Sequence, residues 1–104
     1  MTWSRLCPIN AVPDGEVLPV ALDGEPFAVC SIDGKFHVIA DRCTHADVPL
    51  SQGFFEGCEV ECPLHGSRFD IRTGKCLSPP AKQDVAVFAT EVRDGHLYIK
   101  LPDK

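Results

Sequence analysis

The chain lacks any long apolar run. No stretch approaches the roughly eighteen consecutive apolar residues that a membrane-spanning helix needs. The first ten residues, MTWSRLCPIN, also lack the apolar core of a secretory signal peptide, because Pro8 and Asn10 interrupt them. We therefore expect a cytoplasmic protein that does not associate with a membrane.

Helical signals are also scarce. No segment repeats apolar residues with the period of an amphipathic helix, and nine prolines disfavour helices further. Asp-Gly pairs at residues 23–24, 33–34 and 94–95 separate short apolar or alternating runs, the pattern of tight β-hairpins. The last pair lies between VAVFATEVR and HLYIK. With no repeat or linker, these features predict one all-β domain over residues 1–104, as an antiparallel sandwich or small barrel.

Positive charge is in the minority. Ten Lys and Arg face fifteen Asp and Glu, which gives a formal net charge of -5. A nucleic-acid or anionic-membrane surface attracts the opposite balance. We therefore expect neither nucleic acid nor membrane among the partners.

Cysteine, in contrast, is plentiful, with six residues in 104. In a reducing compartment these are not expected to form disulfides, and a cysteine beside a histidine indicates a metal site instead. Two such pairs occur, Cys43 with His45 in DRCTHADVPL and Cys62 with His65 in CPLHGSRFD. Each pair lies in a predicted loop, so two loop tips could bring two thiolates and two imidazoles together.

This donor set suits zinc or an iron–sulfur cluster. Zinc fingers usually hold their two histidines together on a helix, and no helix is expected here. In the Rieske type of two-iron, two-sulfide cluster, two cysteines bind one iron and two histidines bind the other. Loops that carry one of each fit that arrangement, and structural zinc is the alternative.

The two motifs resemble the signature of Rieske proteins, C-x-H followed after a spacer by C-x-x-H. CTH, sixteen residues, and then CPLHGSRFD match that signature, and the likeness extends over most of the chain to the segment LSPPA. The chain is most similar to the small Rieske ferredoxins of bacterial ring-hydroxylating dioxygenases of the biphenyl, naphthalene, toluene or cumene type. The resemblance implies a Rieske fold, with a β-sandwich base and a cluster-binding subdomain at about residues 41–80.

The same resemblance implies the cofactor and its ligands. One [2Fe–2S] cluster would be held by Cys43 and Cys62 on one iron and by His45 and His65 on the other. The proline segment that contains Pro79 and Pro80 would cover one side of the cluster.

It also implies a role in electron transfer without catalysis. A monomer would carry single electrons from a flavin-dependent NADH:ferredoxin reductase to a terminal aromatic-ring-hydroxylating dioxygenase. The small subunit of an assimilatory nitrite reductase is an alternative with the same fold. A zinc-stabilised interaction module is an alternative from another class.

Three positions differ from the respiratory Rieske proteins. Those proteins have an additional cysteine where Val48 and Leu64 stand here, and a tyrosine hydroxyl where this chain has Phe69. Ser67 is retained and is expected to donate a hydrogen bond to the cluster. Fewer hydrogen bonds to sulfur lower the reduction potential. We expect the low end of the Rieske span, roughly -150 mV.

The remaining candidates are interpreted as structural. His37 and His96 are expected to be solvated strand residues, and Trp3 and the phenylalanines to be core residues. Four cysteines are expected to pack as small apolar side chains: Cys7, Cys30, Cys58 and Cys76.

The surface around the loops is expected to serve docking. Ten charged residues are predicted to form a solvated rim, with steering of redox partners as the alternative: Asp41, Asp47, Glu56, Glu59, Glu61 and Asp70, with Arg42, Arg68, Arg72 and Lys75. The loop tips with His45 and His65 would form the docking face for both partners in turn. Five residues are predicted to supply its apolar centre: Val48, Pro49, Leu50, Leu64 and Pro80.

Overall fold

Short antiparallel strands are the main regular structure of the computed structural model, which describes residues 2–101. The strands are β1 (Thr2–Pro8), β2 (Val17–Leu22), β3 (Glu25–Ile32), β4 (Lys35–Ala40), β5 (Phe54–Glu56), β6 (Glu59–Glu61), β7 (Arg68–Asp70), β8 (Val87–Phe88), β9 (Thr90–Arg93) and β10 (His96–Leu101). Single turns of 3₁₀ helix occur at Ile9–Ala11 and Leu50–Gln52. The prediction of an all-β fold is confirmed. Within the described residues, no helix has the length and apolar character needed to cross a membrane.

The three predicted Asp-Gly hairpin turns are all present. Asp23, Asp33 and Asp94 have φ angles of 51°, 51° and 48°, and the glycine after each lies between 77° and 79°. Two successive positive φ angles define the hairpin turn whose twist matches that of its strands, and Asp-Gly adopts it readily. These turns join β2 to β3, β3 to β4 and β9 to β10.

The strands form three antiparallel sheets. The terminal sheet has the order β1-β10-β9, the central sheet β2-β3-β4-β8, and the small sheet β5-β6-β7. The run VAVFATEVR is divided between two of them, because β8 pairs with β4 while β9 pairs with β10. The chain therefore changes sheets at Ala89, where the sequence carries neither glycine nor proline to mark the change.

Two hydrophobic cores lie on the two faces of the central sheet. Strand β3 is buried from Phe27 to Ser31, and its side chains alternate between the cores, as strand geometry requires. Phe27 and Val29 face the first core, which lies between the central and terminal sheets and includes Leu97. We call it the base core, and we call these two sheets the base. The remaining members of the base core are Cys7, Val12, Val38 and Ile99.

The second core, here called the site core, joins the central sheet to the small sheet and its loops. Its members are Ala28, Cys30, Ile39, Cys43, Leu50, Val60, Cys62, Phe69, Ile71, Ala81 and Val85. Both predicted metal-binding cysteines, Cys43 and Cys62, therefore lie in this core. The expectation that Trp3 and all phenylalanines are core residues is wrong in part, because Trp3 is half-buried and Phe54 is 67% exposed.

Candidate metal centre

The first histidine loop, residues 41–49, follows β4 and closes on itself. The Cys43 N–H donates to the Val48 carbonyl at 2.9 Å, so the chain folds back around His45. Asp41 at its base is only 6% exposed and accepts hydrogen bonds from the Ser51 N–H and hydroxyl, each at 2.6 Å. Asp41 therefore anchors the loop, and its assignment to the solvated rim is wrong.

The second histidine loop, residues 62–67, connects β6 to β7. The Cys62 N–H donates to the Ser67 carbonyl at 2.7 Å, and the Gly66 N–H donates to the Cys62 carbonyl at 3.1 Å. Gly66 has a φ of 79°, a conformation that favours glycine and lets the chain reverse directly after His65. This loop is therefore a tight hairpin that extends the small sheet.

The four predicted ligands occupy two levels. Cys43 and Cys62 are 3% and 2% exposed and belong to the same core, whereas His45 and His65 are exposed. The two imidazole rings lie with their centroids 5.0 Å apart and their planes at 65°. The thiol pair is thus inside, and the imidazole pair is at the surface.

Burial raises the pKa of the Cys43 thiol, and the neighbouring Cys62 thiol contributes to the rise. Two adjacent buried thiols in an apolar core lose their protons readily only to a metal, because the cation stabilises both thiolates.

The donors therefore fit a two-iron cluster. The candidates form a thiol pair and an imidazole pair, and a Rieske cluster uses one such pair on each iron. Tetrahedral zinc instead takes its protein ligands around a single point.

A third stretch, here called the bridging segment (residues 76–85), contacts both histidine loops. The Thr44 hydroxyl donates to the Gln83 carbonyl at 2.7 Å, and the Ala81 N–H donates to the Ser67 hydroxyl at 2.9 Å. Ser67 is fully buried. Pro79 and Pro80 lie in this segment, and their predicted covering of the cluster stays a prediction.

Sequence reasoning missed the residues that fix this segment. The Thr44–Gln83 contact spans 39 positions, and the Cys76 N–H donates to the Asp84 carboxylate at 2.8 Å. Neither pair has a signal in the sequence, although Thr44 stands inside the CTH motif and could have been suspected on that ground.

The residues that set this chain apart from respiratory Rieske proteins are placed differently from one another. Phe69 is fully buried in the site core, Val48 is half-buried, and Leu64 is 53% exposed at the tip of the second histidine loop.

Leu50 is fully buried, so its assignment to the docking face is wrong. Pro49 is exposed and Pro80 is half-buried, which leaves both accessible.

Most of the other charged residues around the site form ion pairs at the surface. Arg42 pairs with Asp47 at 2.7 Å, and Arg68 pairs with Glu59 and Glu61 at 3.2 Å each. A solvated rim describes these pairs correctly.

A further rim pair joins Arg72 to Asp70 at 3.2 Å. Hydrogen bonds from Arg72 hold the pKa of Asp70 below its usual range.

The two other histidines are half-buried strand residues outside the loops. His37 lies on β4, where burial, followed by the charges of Arg72 and Lys35, lowers its pKa. The Nδ1 atom of His96 lies 3.2 Å from the Asp94 carbonyl oxygen.

The remaining cysteines divide into two groups. Cys7 and Cys30 are buried as predicted, and burial, followed by the charge of Asp41, raises the pKa of Cys30 to about 12. Cys58 and Cys76 are half-buried, and Cys76 packs against the site core, as expected of a small apolar side chain. The Cys76 thiol donates to the Ala81 carbonyl at 3.0 Å, within the bridging segment. None of the six cysteines, all within the described residues, forms a disulfide.

Comparison with known proteins defines the class. A family model described as the Rieske [2Fe-2S] domain matches residues 2–89. The chain is 39% identical over 93 residues to the biphenyl dioxygenase ferredoxin subunit of Pseudomonas sp. (strain KKS102), covering 88% of this chain and 85% of the relative. The chain therefore belongs to the Rieske [2Fe–2S] family, and its cofactor is one cluster of that type.

Solved structures narrow the class further. The Sphingomonas yanoikuyae B1 ferredoxin matches with a TM-score of 0.90 and 33% identity, covering 97% of this chain and all of that one. A chain from a complex of reduced oxygenase and oxidized ferredoxin in carbazole 1,9a-dioxygenase matches with a TM-score of 0.86 and 33% identity, covering 96% and 97%. The protein is a Rieske ferredoxin, an electron-transfer component rather than a catalytic enzyme.

Proposed function

We propose that this ferredoxin accepts single electrons from a flavin-dependent NADH:ferredoxin reductase and passes them to a terminal aromatic-ring-hydroxylating dioxygenase. One relative is named as the ferredoxin subunit of biphenyl dioxygenase, and one structural neighbour comes from a complex with its oxygenase. The observation that carries the proposal is the exposed imidazole pair above a buried thiol pair. Electrons that pass between proteins need a redox centre close to the surface, and a cluster bound by this exposed pair would lie there.

The four ligands are part of the proposal. Cys43 and Cys62 would bind the inner iron as thiolates, and His45 and His65 would bind the outer iron through neutral imidazoles. When bound, the cluster supplies a centre that gains and loses one electron. The chain holds its inner side in an apolar core and leaves the two imidazoles open to a partner. The mixed donor set also favours this cluster over a zinc-stabilised module.

The proposal extends to the domain organisation, the cellular compartment and the oligomeric state. We propose one domain over residues 1–104, with a cluster-binding subdomain at about residues 41–80. The small sheet and both histidine loops lie within those bounds, which supports them. Six unpaired cysteines suit a reducing cytoplasm. A monomer suits a carrier that must leave each partner quickly.

The reduction potential would lie near the low end of the Rieske span, roughly -150 mV. Phe69 has no hydroxyl to donate to sulfur, and Val48 and Leu64 provide no second pair of thiols. Relatives named as dioxygenase ferredoxins favour this role over that of a nitrite reductase subunit.

The test is a reconstituted electron-transfer assay with the purified reductase and oxygenase of a biphenyl dioxygenase system. Wild-type protein should couple NADH oxidation to product formation. Leu64→Glu should slow the transfer severalfold, because it places a charge at the apolar centre of the docking face, while the visible spectrum stays unchanged. Absence of coupling by the wild-type protein would contradict the proposal.

A further inference from the structure

The outer face of the small sheet continues directly from the second histidine loop. Strands β6 and β7 flank that loop. The row of paired residues at the ends of these strands therefore lies next to the loop. The register pairs Phe54 with Glu61 and Glu61 with Arg68. Leu77 extends the row, since its N–H donates to the Arg68 carbonyl at 2.7 Å.

Side chains directly opposite one another in an antiparallel sheet lie on the same face. The next row inward is Phe55, Val60, Phe69 and Cys76, which faces the site core. The row from Phe54 to Leu77 therefore faces solvent, which matches the exposure of its members.

This row exposes apolar side chains at both ends. Phe54 is 67% exposed and Leu77 is 45% exposed, while the Arg68–Glu61 pair lies between them. Of the five large apolar side chains exposed in residues 2–101, Phe54 lies on the small sheet, Leu64 in its loop, and Leu77 beside β7 at the start of the bridging segment. Exposed apolar side chains grouped in this way mark an interaction surface.

The composition of the row is that of an interface centre. Aromatic residues and arginine are enriched at protein interfaces, and they supply most of the residues that dominate binding energy. Arg68 is held by two carboxylates, Glu59 and Glu61, so its side chain is already ordered before a partner binds. A preordered side chain loses less conformational entropy on association.

The charge of this face indicates the chemistry of its partner. Carboxylates outnumber cations there: Glu56, Glu59, Glu61 and Asp70 lie on this face with Arg68, while Arg72 pairs with Asp70 and Lys75 lies beside Asp70. A complementary surface would carry an apolar hollow for Phe54 with basic residues around it.

We propose that the terminal oxygenase contacts this ferredoxin over the outer face of the small sheet as well as over the histidine loops, with Phe54 as the anchoring side chain. The inference rests on the proposed function, because that surface is continuous with the docking face assigned there. The first histidine loop, in contrast, presents the Arg42–Asp47 ion pair to solvent. The complex is therefore asymmetric about the two imidazoles, with its apolar contact on the side of His65.

The experiment measures oxidation of the reduced ferredoxin by the biphenyl dioxygenase oxygenase at increasing oxygenase concentration. Phe54→Ser should lower the second-order rate constant about tenfold, which corresponds to about 1.4 kcal/mol. Leu77→Ser should lower it less, and Phe54→Leu should retain most of the wild-type rate because it preserves an apolar contact.

The matched control is Val92→Ser. Val92 is 50% exposed on β9 of the terminal sheet, so this variant removes an exposed apolar side chain from a different sheet. It should react at the wild-type rate. The visible spectrum and midpoint potential should be unchanged in every variant, which separates docking from damage to the cluster.

The outcomes separate the two proposals. Wild-type protein that does not reduce the oxygenase contradicts the proposed function and, with it, this inference. Normal transfer by Phe54→Ser, or an equal loss in Val92→Ser, contradicts the inference alone. If Phe54→Ser slows only the reduction of the ferredoxin by the reductase, the inference is also contradicted. If Phe54→Ser slows electron transfer to the oxygenase, the inference is supported, whether or not the reaction with the reductase slows as well.

Discussion

The Asp-Gly hairpins of the central and terminal sheets take their turn geometry mainly from their own residues, whereas both histidine loops are also bound to a segment farther along the chain. Each Asp-Gly turn has two successive positive φ angles, and the turn at Gly34 also gains a side-chain contact from elsewhere in the chain, a hydrogen bond from the Gly34 N–H to the Asp14 carboxylate at 2.9 Å. In the first histidine loop, the Thr44 hydroxyl donates a hydrogen bond to the Gln83 carbonyl. In the second, the Ser67 hydroxyl accepts a hydrogen bond from the Ala81 N–H. The comparison teaches that the turns of the base are determined largely by local sequence. The geometry of the site depends in addition on contacts between the two histidine loops and the bridging segment.

The largest effect should come from removing a proposed ligand. His65→Ala or His45→Ala should abolish cluster binding. Neither histidine loop contains another histidine that could take the place of the lost ligand. His96→Ala, on the terminal sheet, should retain a full cluster. Iron and acid-labile sulfide analysis checks both results, and a full cluster in His65→Ala would show that the ligand assignment is wrong.

The next effect contrasts two glycines. A Cβ at Gly53 would lie 2.1 Å from the Glu61 carbonyl oxygen, so Gly53→Ala should force apart the approach to the small sheet and lower the free energy of unfolding by about 3 kcal/mol. At Gly24, in a base hairpin, a Cβ meets nothing within 4 Å, and only the positive φ opposes it. Gly24→Ala should cost about 1 kcal/mol. Denaturant unfolding of both variants measures the difference, and equal losses would remove this distinction between the regions.

A smaller contrast concerns hydroxyl groups. Ser67→Ala leaves the buried Ala81 N–H without its partner, so the free energy of unfolding should fall by about 1–2 kcal/mol. Thr90→Val in the base removes only a long hydrogen bond, 3.4 Å to the Phe36 carbonyl, and should cost about 0.5 kcal/mol or less. Chemical denaturation would refute the contrast if Thr90→Val were the more damaging change.

The smallest effect is a pH dependence that arises from His37 on β4. Because the pKa of His37 is lower in the folded chain than in the unfolded chain, the unfolded chain binds more protons below about pH 6.5. The stability that neutral His37 allows is therefore present above that pH and declines as the pH falls toward the folded pKa. His37→Gln should flatten the stability profile between pH 7 and 5. An unchanged profile in this variant would assign the slope to other groups.

Much of the base and the identity of the candidate ligands could be predicted from the sequence. Asp-Gly turns act locally, and the repeated Cys-His pairs form a compact motif. Burial of Asp41 and exposure of Phe54 could not be predicted, because both depend on which segment packs next to them. The division of residues 87–93 between two sheets was missed for the same reason, since the packing of each strand decides it and no residue marks the change.

The bridging segment shows the limit most clearly. Its hydrogen bonds to Thr44 and Ser67 join residues 39 and 14 positions apart, and they use a backbone carbonyl and a backbone N–H that every sequence possesses. Side-chain identity therefore reveals only half of each contact.

The central claim is that a buried thiol pair and an exposed imidazole pair hold one two-iron cluster. The most direct measurement is metal and sulfide analysis of the purified protein, combined with electron paramagnetic resonance after reduction. Iron and acid-labile sulfide should be present in equal amounts, and the reduced protein should give the low-average-g signal of mixed Cys and His ligation. Stoichiometric zinc without sulfide, in a colourless protein, would contradict the account.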